Sequence, residues 1–257
     1  MKLGIQLWTV RTALQKGEQE FRETFKNLKS LGYDEVQTAG CYGYEYGKYY
    51  DMIKEAGIDI VGTHDDFGMM VNDIEQSIEN HKKLHTTNMG VGGFFAHTAE
   101  ETEDFIIKAN KIAARISKEG MKFTYHHHSH EFIMLDTGKR MIDMLMEGLD
   151  PDNITFVLDT YWLQHAGVDV CEWIEKLAGR VDILHLKDMT VRLTPDGGTA
   201  PTIAACGKGN MNFEKIITTA KNSGIKYYCV EQDNCPEDSF ADVKASSEHL
   251  HKIIDKM

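Results

Sequence analysis

The residue types best suited to chemistry crowd into one stretch near the middle of the chain. Four histidines and one glutamate lie there, at His126, His127, His128, His130 and Glu131. If this stretch begins as a strand at residue 122, its side chains alternate between two faces, and His126 and His128 share one of them. Phe123 and Tyr125 then form the opposite, apolar face, which needs a helix packed on it. Imidazoles beside a carboxylate bind divalent metals and transfer protons near neutral pH, so the polar face predicts an enclosed functional space. A solvated His-rich loop is the alternative, whereas an expression tag would lie at a terminus.

Three further candidates each come directly after a short apolar run: Asp159, His185 and Glu231. Taken alone, an Asp after a strand often caps the next helix, and a His often satisfies a buried hydrogen bond. Taken together with Glu131, these residues form an oxygen-rich set of carboxylates and one imidazole. Such a set suits Mn²⁺ first, with Mg²⁺, Co²⁺ or Zn²⁺ as alternatives, and its ligand types exclude a structural zinc finger.

The elements that must position these residues repeat along the chain. Short apolar runs predict strands over residues 3–8, 34–38, 58–63, 87–91, 122–126, 154–158, 181–184 and 227–230. Helical patterns follow them over residues 20–31, up to 56, 72–84, 101–119, 140–147, 170–177, 212–222 and about 238–254, and glycines stop six of these helices at Gly32, Gly57, Gly120, Gly148, Gly179 and Gly224. Eight such units predict an α/β fold, the (β/α)₈ TIM barrel, with residues 1–257 as a single domain. A doubly wound sheet is disfavoured, because no Gly-x-Gly-x-x-Gly follows the first strand and no composition break marks a second domain.

In such a barrel the active site lies at the C-terminal ends of the strands. The residues expected there are Trp8, Gln37, His64, Val91, His126, Asp159, His185 and Glu231. Alternation along the strands supports an inward direction, because Asp159 is out of phase with the apolar Phe156 and Leu158. The same alternation turns His185 and Lys187 inward, so the metal and proton chemistry is predicted to collect at one end of the barrel.

The longest connection, residues 188–210, is too long to be a plain linker. A connection of this length within a compact domain is usually functional, for example as a lid. It contains Gly207-Lys208-Gly209-Asn210, which is a weak candidate for a phosphate cradle. An acidic chain with few surface cations does not favour a phosphorylated substrate.

Composition narrows the class of protein. The chain has 257 residues, 42% of them hydrophobic and 26% charged, and it has no apolar run near the roughly 20 residues that cross a bilayer. With no secretory segment at its start, we expect a cytoplasmic protein that does not bind membranes. The five cysteines (Cys41, Cys171, Cys206, Cys229 and Cys235) have no paired short spacing and are predicted to be reduced thiols. The net charge of −12 opposes binding to phosphate backbones, so nucleic acid is excluded as a partner.

Seven motifs together resemble the xylose isomerase-like barrel superfamily, and within it the sugar phosphate isomerase/epimerase group, over nearly the whole chain. They are Gly4-Ile-Gln-Leu-Trp-Thr-Val-Arg11, Leu31-Gly-Tyr-Asp-Glu-Val36, Tyr125-His-His-His-Ser-His-Glu-Phe132, Leu158-Asp-Thr-Tyr-Trp162, His185-Leu-Lys-Asp188, Gly207-Lys-Gly-Asn210 and Val230-Glu-Gln-Asp233. The resemblance implies a divalent metal held by Glu131, Asp159, His185 and Glu231. It departs at strand five, where epimerases of the family place a Glu and this chain has His126, while Glu131 comes five residues later, as in relatives with a Tyr-His-Asn-His-x-x-Glu-Phe pattern. Either His126 or Glu131 is therefore the ligand from strand five. Gln37 also stands where many relatives have a Glu.

The resemblance predicts an isomerase or epimerase of a sugar or sugar derivative, in which a base removes a proton next to a metal-polarised carbonyl. Glu231 and His126 are the candidate bases. His128 beside His126 adds a possible acid, which makes a lyase that eliminates water or an aglycone the alternative. His64 and Lys187 are predicted to bind substrate oxygens, and Trp8 and Trp162 to pack against the sugar. A DNA repair endonuclease would need a basic surface, and a non-catalytic sugar-binding subunit would lack ligands. The oligomeric state is open between monomer, homo-oligomer and hetero-oligomer.

Overall fold

A sheet of eight parallel strands forms the centre of the computed structural model, which describes residues 1–234 and 239–257. In chain order the strands of the described residues are β1 (Gly4–Gln6), β2 (Glu35–Ala39), β3 (Asp59–His64), β4 (Asn88–Val91), β5 (Lys122–His126), β6 (Ile154–Asp159), β7 (Val181–Leu186), β8 (Asp188–Leu193), β9 (Thr199–Ala204) and β10 (Tyr227–Val230). All but β8 and β9 belong to the central sheet. Cys235 and Asp238, where the last helix was predicted to start, lie outside the described residues.

Helices surround this sheet. In chain order they are α1 (Arg11–Leu14), α2 (Glu18–Ser30), α3 (Tyr46–Lys54), α4 (Phe67–Asn72), α5 (Ile74–Lys82), α6 (Ala99–Ile116), α7 (Met141–Gly148), α8 (Thr160–His165), α9 (Val170–Lys176), α10 (Phe213–Asn222) and α11 (Phe240–Ile254). The predicted helix over 72–84 is wrong at its start, because Asp73 caps a new helix there by accepting a hydrogen bond from the Gln76 N–H at 3.0 Å. Gly148 is the last residue of α7, whereas it was predicted to lie just after the helix. Among the described residues, no helix combines the length and the apolar composition needed to cross a membrane.

The strands follow the order β3-β2-β1-β10-β7-β6-β5-β4, and the two outermost strands come together to close the circle. We call this junction the β3–β4 seam. The Asn88 side-chain amide donates to the Val61 carbonyl at 2.8 Å, and the Gly90 N–H donates to the Thr63 hydroxyl at 3.2 Å. A backbone hydrogen bond also crosses the seam, from the N–H of Asp65, directly after β3, to the Gly90 carbonyl of β4 at 2.8 Å. The nearly closed circle of eight parallel strands with surrounding helices confirms the predicted (β/α)₈ barrel.

Alternation along the strands divides the apolar residues into two layers. Phe156 and Leu158 of β6 face outward and join the large core between the sheet and the helices. A small cluster fills the barrel interior with Val61, Val157, Ile183 and Cys229. Because Val157 points inward, Asp159 two residues later also points inward, as the alternation predicts. The interior is therefore apolar at mid-height and polar at the C-terminal ends of the strands.

The predicted long connection after β7 is a β-hairpin. Strands β8 and β9 pair in antiparallel fashion, with Asp188 opposite Ala204 and Leu193 opposite Thr199. Val191 and Leu193 are exposed on this hairpin. The lid role of this segment stays a prediction.

Asp188 anchors the loop that follows the hairpin. Its Oδ2 accepts hydrogen bonds from the backbone N–H groups of Gly207 at 2.9 Å and Gly209 at 3.0 Å. Its Oδ1 accepts from the N–H groups of Met189 at 2.8 Å and Met211 at 3.2 Å. The glycines of the suggested phosphate cradle thus bind a carboxylate of the chain itself, and their N–H groups are not available to a substrate phosphate.

We expect the Asp188→Ala variant to lower the free energy of unfolding by about 3–5 kcal/mol, because it removes a fully buried carboxylate and leaves four backbone N–H donors without their acceptor. Urea unfolding followed by circular dichroism measures the change. The control is Asp196→Ala in the exposed hairpin turn, where the loss should stay below about 1 kcal/mol. Equal losses in the two variants would contradict the anchoring role of Asp188.

Candidate metal centre and active site

Four potential metal ligands meet at the C-terminal ends of neighbouring strands. His126 ends β5, Asp159 ends β6, His185 lies in β7 and Glu231 directly follows β10. The strand register brings them together, since Asp159 pairs with His185 across β6 and β7. One donor atom from each lies within 4.8 Å of the other three, and no side chain of the four is more than 4% exposed. We call these four residues the ligand cluster.

Distances within the ligand cluster fit a single divalent cation. His185 Nδ1 lies 2.9 Å from Glu231 Oε2 and 3.2 Å from His126 Nε2. Asp159 Oδ2 lies 3.4 Å from His126 Nε2 and 3.8 Å from His185 Nδ1. Bonds of about 2.1 Å from a tetrahedral cation put neighbouring donors about 3.4 Å apart, in the middle of this range. Glu231 Oε2 accepts no hydrogen bond from any described residue, although two cationic groups contact it.

Gln37 orients the imidazole of His185 for such a role. Its Oε1 lies 2.5 Å from His185 Nε2, and Gln6 Nε2 donates to the same oxygen at 3.3 Å. Since Oε1 only accepts, His185 carries a proton on Nε2 and directs Nδ1 into the ligand cluster. A hydrogen bond that fixes the outer nitrogen of a ligating imidazole is a common feature of metal sites.

Lys187, predicted to bind substrate, lies against the ligand cluster instead of lining the cavity. Its buried Nζ is 2.8 Å from both Asp159 Oδ2 and Glu231 Oε2. Burial alone would raise the pKa of Asp159 and of Glu231, but the Lys187 ammonium and the two imidazoles hold both values well below their usual range. Burial would also lower the pKa of His185, yet the two carboxylates raise it to about 9. Both carboxylates of the cluster are therefore ionised, and the His185 imidazolium and the Lys187 ammonium offset their charge.

Glu131, predicted as the ligand from strand five, is not part of the ligand cluster. Its Oε1 accepts a hydrogen bond from the Tyr125 hydroxyl at 2.9 Å, and its Oε2 accepts from the His128 N–H at 2.7 Å. Burial raises its pKa. Nearby, His130 Nε2 faces Glu131 Oε1 at 3.4 Å and the Phe94 carbonyl at 3.0 Å. Two acceptors around this nitrogen require a proton on it, so Glu131 and His130 fit a hydrogen-bonded loop better than a second metal site.

A cavity of about 520 Å³ opens above the ligand cluster. His126 and Glu231 reach its floor, and the predicted substrate residues His64, Trp8 and Trp162 line its walls. It is also lined by Ala39, Asp65, Gly92, His128 and Asp233. The described structure thus brings together every predicted site residue except Glu131, which lies in the adjacent loop, and Lys187, which lies beneath the cavity.

A family model for the xylose isomerase-like TIM barrel matches residues 25–253, which is most of the chain. The chain belongs to this family. That membership agrees with the resemblance inferred from its motifs.

The relatives of this xylose isomerase-like barrel are named for several different activities. Inosose dehydratase of Clostridium perfringens strain 13 is 26% identical over 155 residues, which cover 56% of this chain and 51% of the relative. The chain thus spans about half the length of the curated relatives it matches. A solved sugar phosphate isomerase/epimerase of Parabacteroides distasonis is 23% identical, with a TM-score of 0.82 over 98% of both chains. The IOLI protein, solved with a bound zinc atom, is 14% identical, with a TM-score of 0.71 over 100% of this chain and 99% of its own. The two structural likenesses show the shared fold alone.

In this xylose isomerase-like barrel, a chain of hydrogen bonds determines which ring nitrogen of His64 carries the proton. The Trp8 N–H donates to Gln6 Oε1 at 2.9 Å, which identifies the other terminal atom of Gln6 as the amide nitrogen. That nitrogen lies 2.9 Å from His64 Nδ1, so Nδ1 accepts and Nε2 carries the proton. Burial and the neighbouring His126 hold the pKa of His64 well below its usual range. Its Nε2 is buried and has no hydrogen-bond partner among the described residues, which makes it a free donor at the cavity.

His127 was not predicted to have a role, yet it supports the ligand cluster from behind. Its Nε2 accepts a hydrogen bond from the Asp159 N–H at 3.0 Å, and its Nδ1 therefore donates to the His128 carbonyl at 3.1 Å. Burial lowers the pKa of His127 to about 4, so the neutral ring is maintained. The sequence signal was the usual Asn at this position of the related pattern, since an amide also accepts and donates. Asp233, the second residue missed, has its carboxylate 3.1 Å from Lys187 Nζ.

Proposed function

We propose that this protein is a divalent-metal-dependent lyase that removes water from a polyhydroxylated ketone of the inosose or keto-sugar class. The observation that carries the proposal is the joint placement of three groups at one cavity: the ligand cluster, the His64 N–H donor and the neutral His128. The curated relatives named inosose dehydratase favour elimination over other fates of the substrate. The match covers only about half of each of these relatives, so both the substrate and the reaction are part of the proposal.

His126, Asp159, His185 and Glu231 would hold the cation, and Glu131 would hold the loop after β5. When bound, a divalent cation polarises the substrate carbonyl and offsets the negative charge that develops on its oxygen. Two imidazoles with two carboxylates suit Zn²⁺, Co²⁺ and Mn²⁺, and they suit Mg²⁺ less well because it prefers oxygen ligands. Mn²⁺ remains the metal that is predicted first. Zn²⁺ is the alternative supported by the similar IOLI protein, which was solved with a bound zinc atom.

His64 and His128 would have separate tasks. His64 donates a hydrogen bond from Nε2 to a substrate oxygen, and its low pKa keeps it neutral as it does so. Burial and the neighbouring His126 lower the pKa of His128 and keep its imidazole neutral. Its role rests on position, because Nδ1 is buried beside the cavity without a hydrogen-bond partner among the described residues. It would take the proton from the carbon next to the carbonyl and return it to the departing hydroxyl, which leaves as water. The Trp8 and Trp162 rings provide apolar walls for the carbon face of the substrate.

Isomerisation or epimerisation is the second candidate. It begins with the same proton removal and differs in where the proton returns. The position of Glu231 at the cavity floor favours this candidate, because a second base on another side of the substrate permits inversion. The similar structure from Parabacteroides distasonis is named a sugar phosphate isomerase/epimerase.

We expect the protein loaded with Mn²⁺ to convert an inosose with loss of one water molecule, as detected by mass spectrometry. The reaction is run in D₂O against a panel of inososes, ketopentoses and ketohexoses. Isomerisation or epimerisation would leave the mass unchanged except for one deuterium, so one experiment separates the two candidates. The Glu231→Gln variant is the inactive control. A metal-loaded protein that neither exchanges deuterium nor turns over any of these carbonyl compounds would contradict the proposal.

A small-molecule sugar or cyclitol is the partner that this proposal requires. The cytoplasmic location and the oligomeric state remain predictions that activity measurements do not address.

A further inference from the structure

Lys187 lies where its charge competes with that of a metal ion. Its Nζ is 2.8 Å from Asp159 Oδ2 and 2.8 Å from Glu231 Oε2, the two carboxylate oxygens of the ligand cluster. The side chain is fully buried, so water does not screen it. A cation bound to either oxygen at about 2.1 Å would lie within about 4.9 Å of this ammonium. Like charges at that separation repel strongly in a buried site, so a divalent ion and this ammonium compete for the same two carboxylates.

Asp233 offers the ammonium a second partner on the side of the cavity. Both of its carboxylate oxygens contact Lys187 Nζ, at 3.1 and 3.2 Å. Its side chain is 32% exposed and lines the cavity, whereas Asp159 and Glu231 are buried. The Arg11 guanidinium donates to the Asp233 carbonyl at 2.8 Å and holds this segment in place.

The backbone of Lys187 is held in place by Thr160, while its ammonium has partners on two sides. The Lys187 N–H donates to the Thr160 hydroxyl at 2.9 Å, and that hydroxyl donates to the Lys187 carbonyl at 2.8 Å. The Trp162 ring lies 5.3 Å from Nζ and provides a favourable surface for a cation near the cavity wall. Because Nζ already contacts both Asp233 oxygens, the ammonium has a partner to retain when it leaves the ligand cluster, and the strand need not move.

We propose that Lys187 is the internal counter-ion of the ligand cluster, that a divalent cation displaces its ammonium, and that Asp233 holds the displaced ammonium at the cavity wall. This inference rests on the proposed metal-dependent function. It gives Lys187 two positions. Without metal the ammonium keeps the two carboxylates together, and with metal it faces the cavity, where it is available to a substrate oxygen.

A double-mutant cycle on Mn²⁺ affinity tests the proposal without any activity assay. Free Mn²⁺ is measured by electron paramagnetic resonance during titration of the purified full chain. We expect Lys187→Met to bind Mn²⁺ roughly tenfold more tightly than the wild type, because the competing charge is gone. Asp233→Asn should bind roughly threefold or more weakly, and this effect should vanish in the Lys187→Met background because no displaced ammonium remains.

Lys187→Gln is run in parallel, because it removes the charge and keeps N–H donors for the carboxylates if the Met variant folds poorly. The exposed pair Lys108 and Asp104 on α6 provides the matched control, since Lys108→Met and Asp104→Asn remove the same charges far from the ligand cluster. Unchanged or weaker Mn²⁺ binding in both Lys187 variants would overturn the inference. An Asp233→Asn effect of equal size in both backgrounds would also overturn it. In either case Mn²⁺ binding by the wild type leaves the proposed function intact, whereas absence of binding in every variant defeats both.

Discussion

Replacing Glu231 with Gln is expected to weaken Mn²⁺ binding by more than about 100-fold, beyond the 10- to 100-fold typical of outer-shell partners. The amide keeps the volume of the side chain and removes the charge that faces His185 and Lys187 at 2.9 and 2.8 Å. Asp159→Asn should have the same effect, because Asp159 supplies the other carboxylate of the ligand cluster. Metal analysis of the purified proteins, followed by equilibrium dialysis against Mn²⁺, measures the change.

The same Glu231→Gln substitution also leaves two buried cationic groups with fewer carboxylates. We therefore expect the metal-free variant to lose about 3–5 kcal/mol of unfolding free energy. Glu248→Gln on the exposed face of α11 is the control, and it should bind Mn²⁺ and unfold as the wild type does. Wild-type metal content in both the Glu231 and Asp159 variants would defeat the proposed centre.

Comparison of His126→Phe with Glu131→Gln should identify the ligand from strand five. His126→Phe keeps a ring at this position and removes the nitrogen that lies 3.2 Å from His185 Nδ1, so we expect Mn²⁺ affinity to fall by about 100-fold. Glu131→Gln should bind Mn²⁺ normally but lose about 1–3 kcal/mol of unfolding free energy. The loss arises because a neutral amide replaces the carboxylate that accepts hydrogen bonds from the Tyr125 hydroxyl and the His128 N–H.

Mn²⁺ titration and urea unfolding of both proteins provide the two readouts. The reverse pattern, with metal lost in Glu131→Gln and kept in His126→Phe, would restore Glu131 as the ligand implied by the family resemblance. It would also mean that the loop over residues 127–132 rearranges when metal binds.

Eight repeats of a strand followed by a helix were sufficient to predict the barrel. Alternation within the strands was sufficient to predict the inward direction of Asp159 and His185, because successive side chains point to opposite faces. Periodicity could not decide whether His126 or Glu131 is the metal ligand from strand five. Glu131 lies outside any strand, and its direction depends on hydrogen bonds from Tyr125 and His128 that no periodic pattern encodes.

Contacts between distant residues account for the other differences. Alternation correctly turned Lys187 inward, but it did not indicate that the ammonium stops at the carboxylates below the cavity. Composition marked residues 207–210 as glycine-rich. The acceptor for the N–H groups of Gly207 and Gly209 is Asp188, some twenty positions earlier, and this pairing follows from the fold. Local signals therefore predicted which residues meet, while side-chain reach and partner choice required the tertiary structure.

Backbone pairing is uneven around the barrel wall, because the β3–β4 seam has less of it than the junctions between the other strands. The four ligand-cluster residues lie in or directly after strands β5, β6, β7 and β10, which are joined by backbone pairing with one register shift, between Phe156 and Val157 of β6. His64 ends β3, directly beside the seam, where side chains supply much of the pairing. The ligands of the proposed metal site thus lie on strands joined by backbone pairing, whereas the His64 donor lies beside the junction that side chains help to close. If the proposed function holds, we expect the seam to let His64 adjust to the position of a substrate hydroxyl without movement of the ligand cluster.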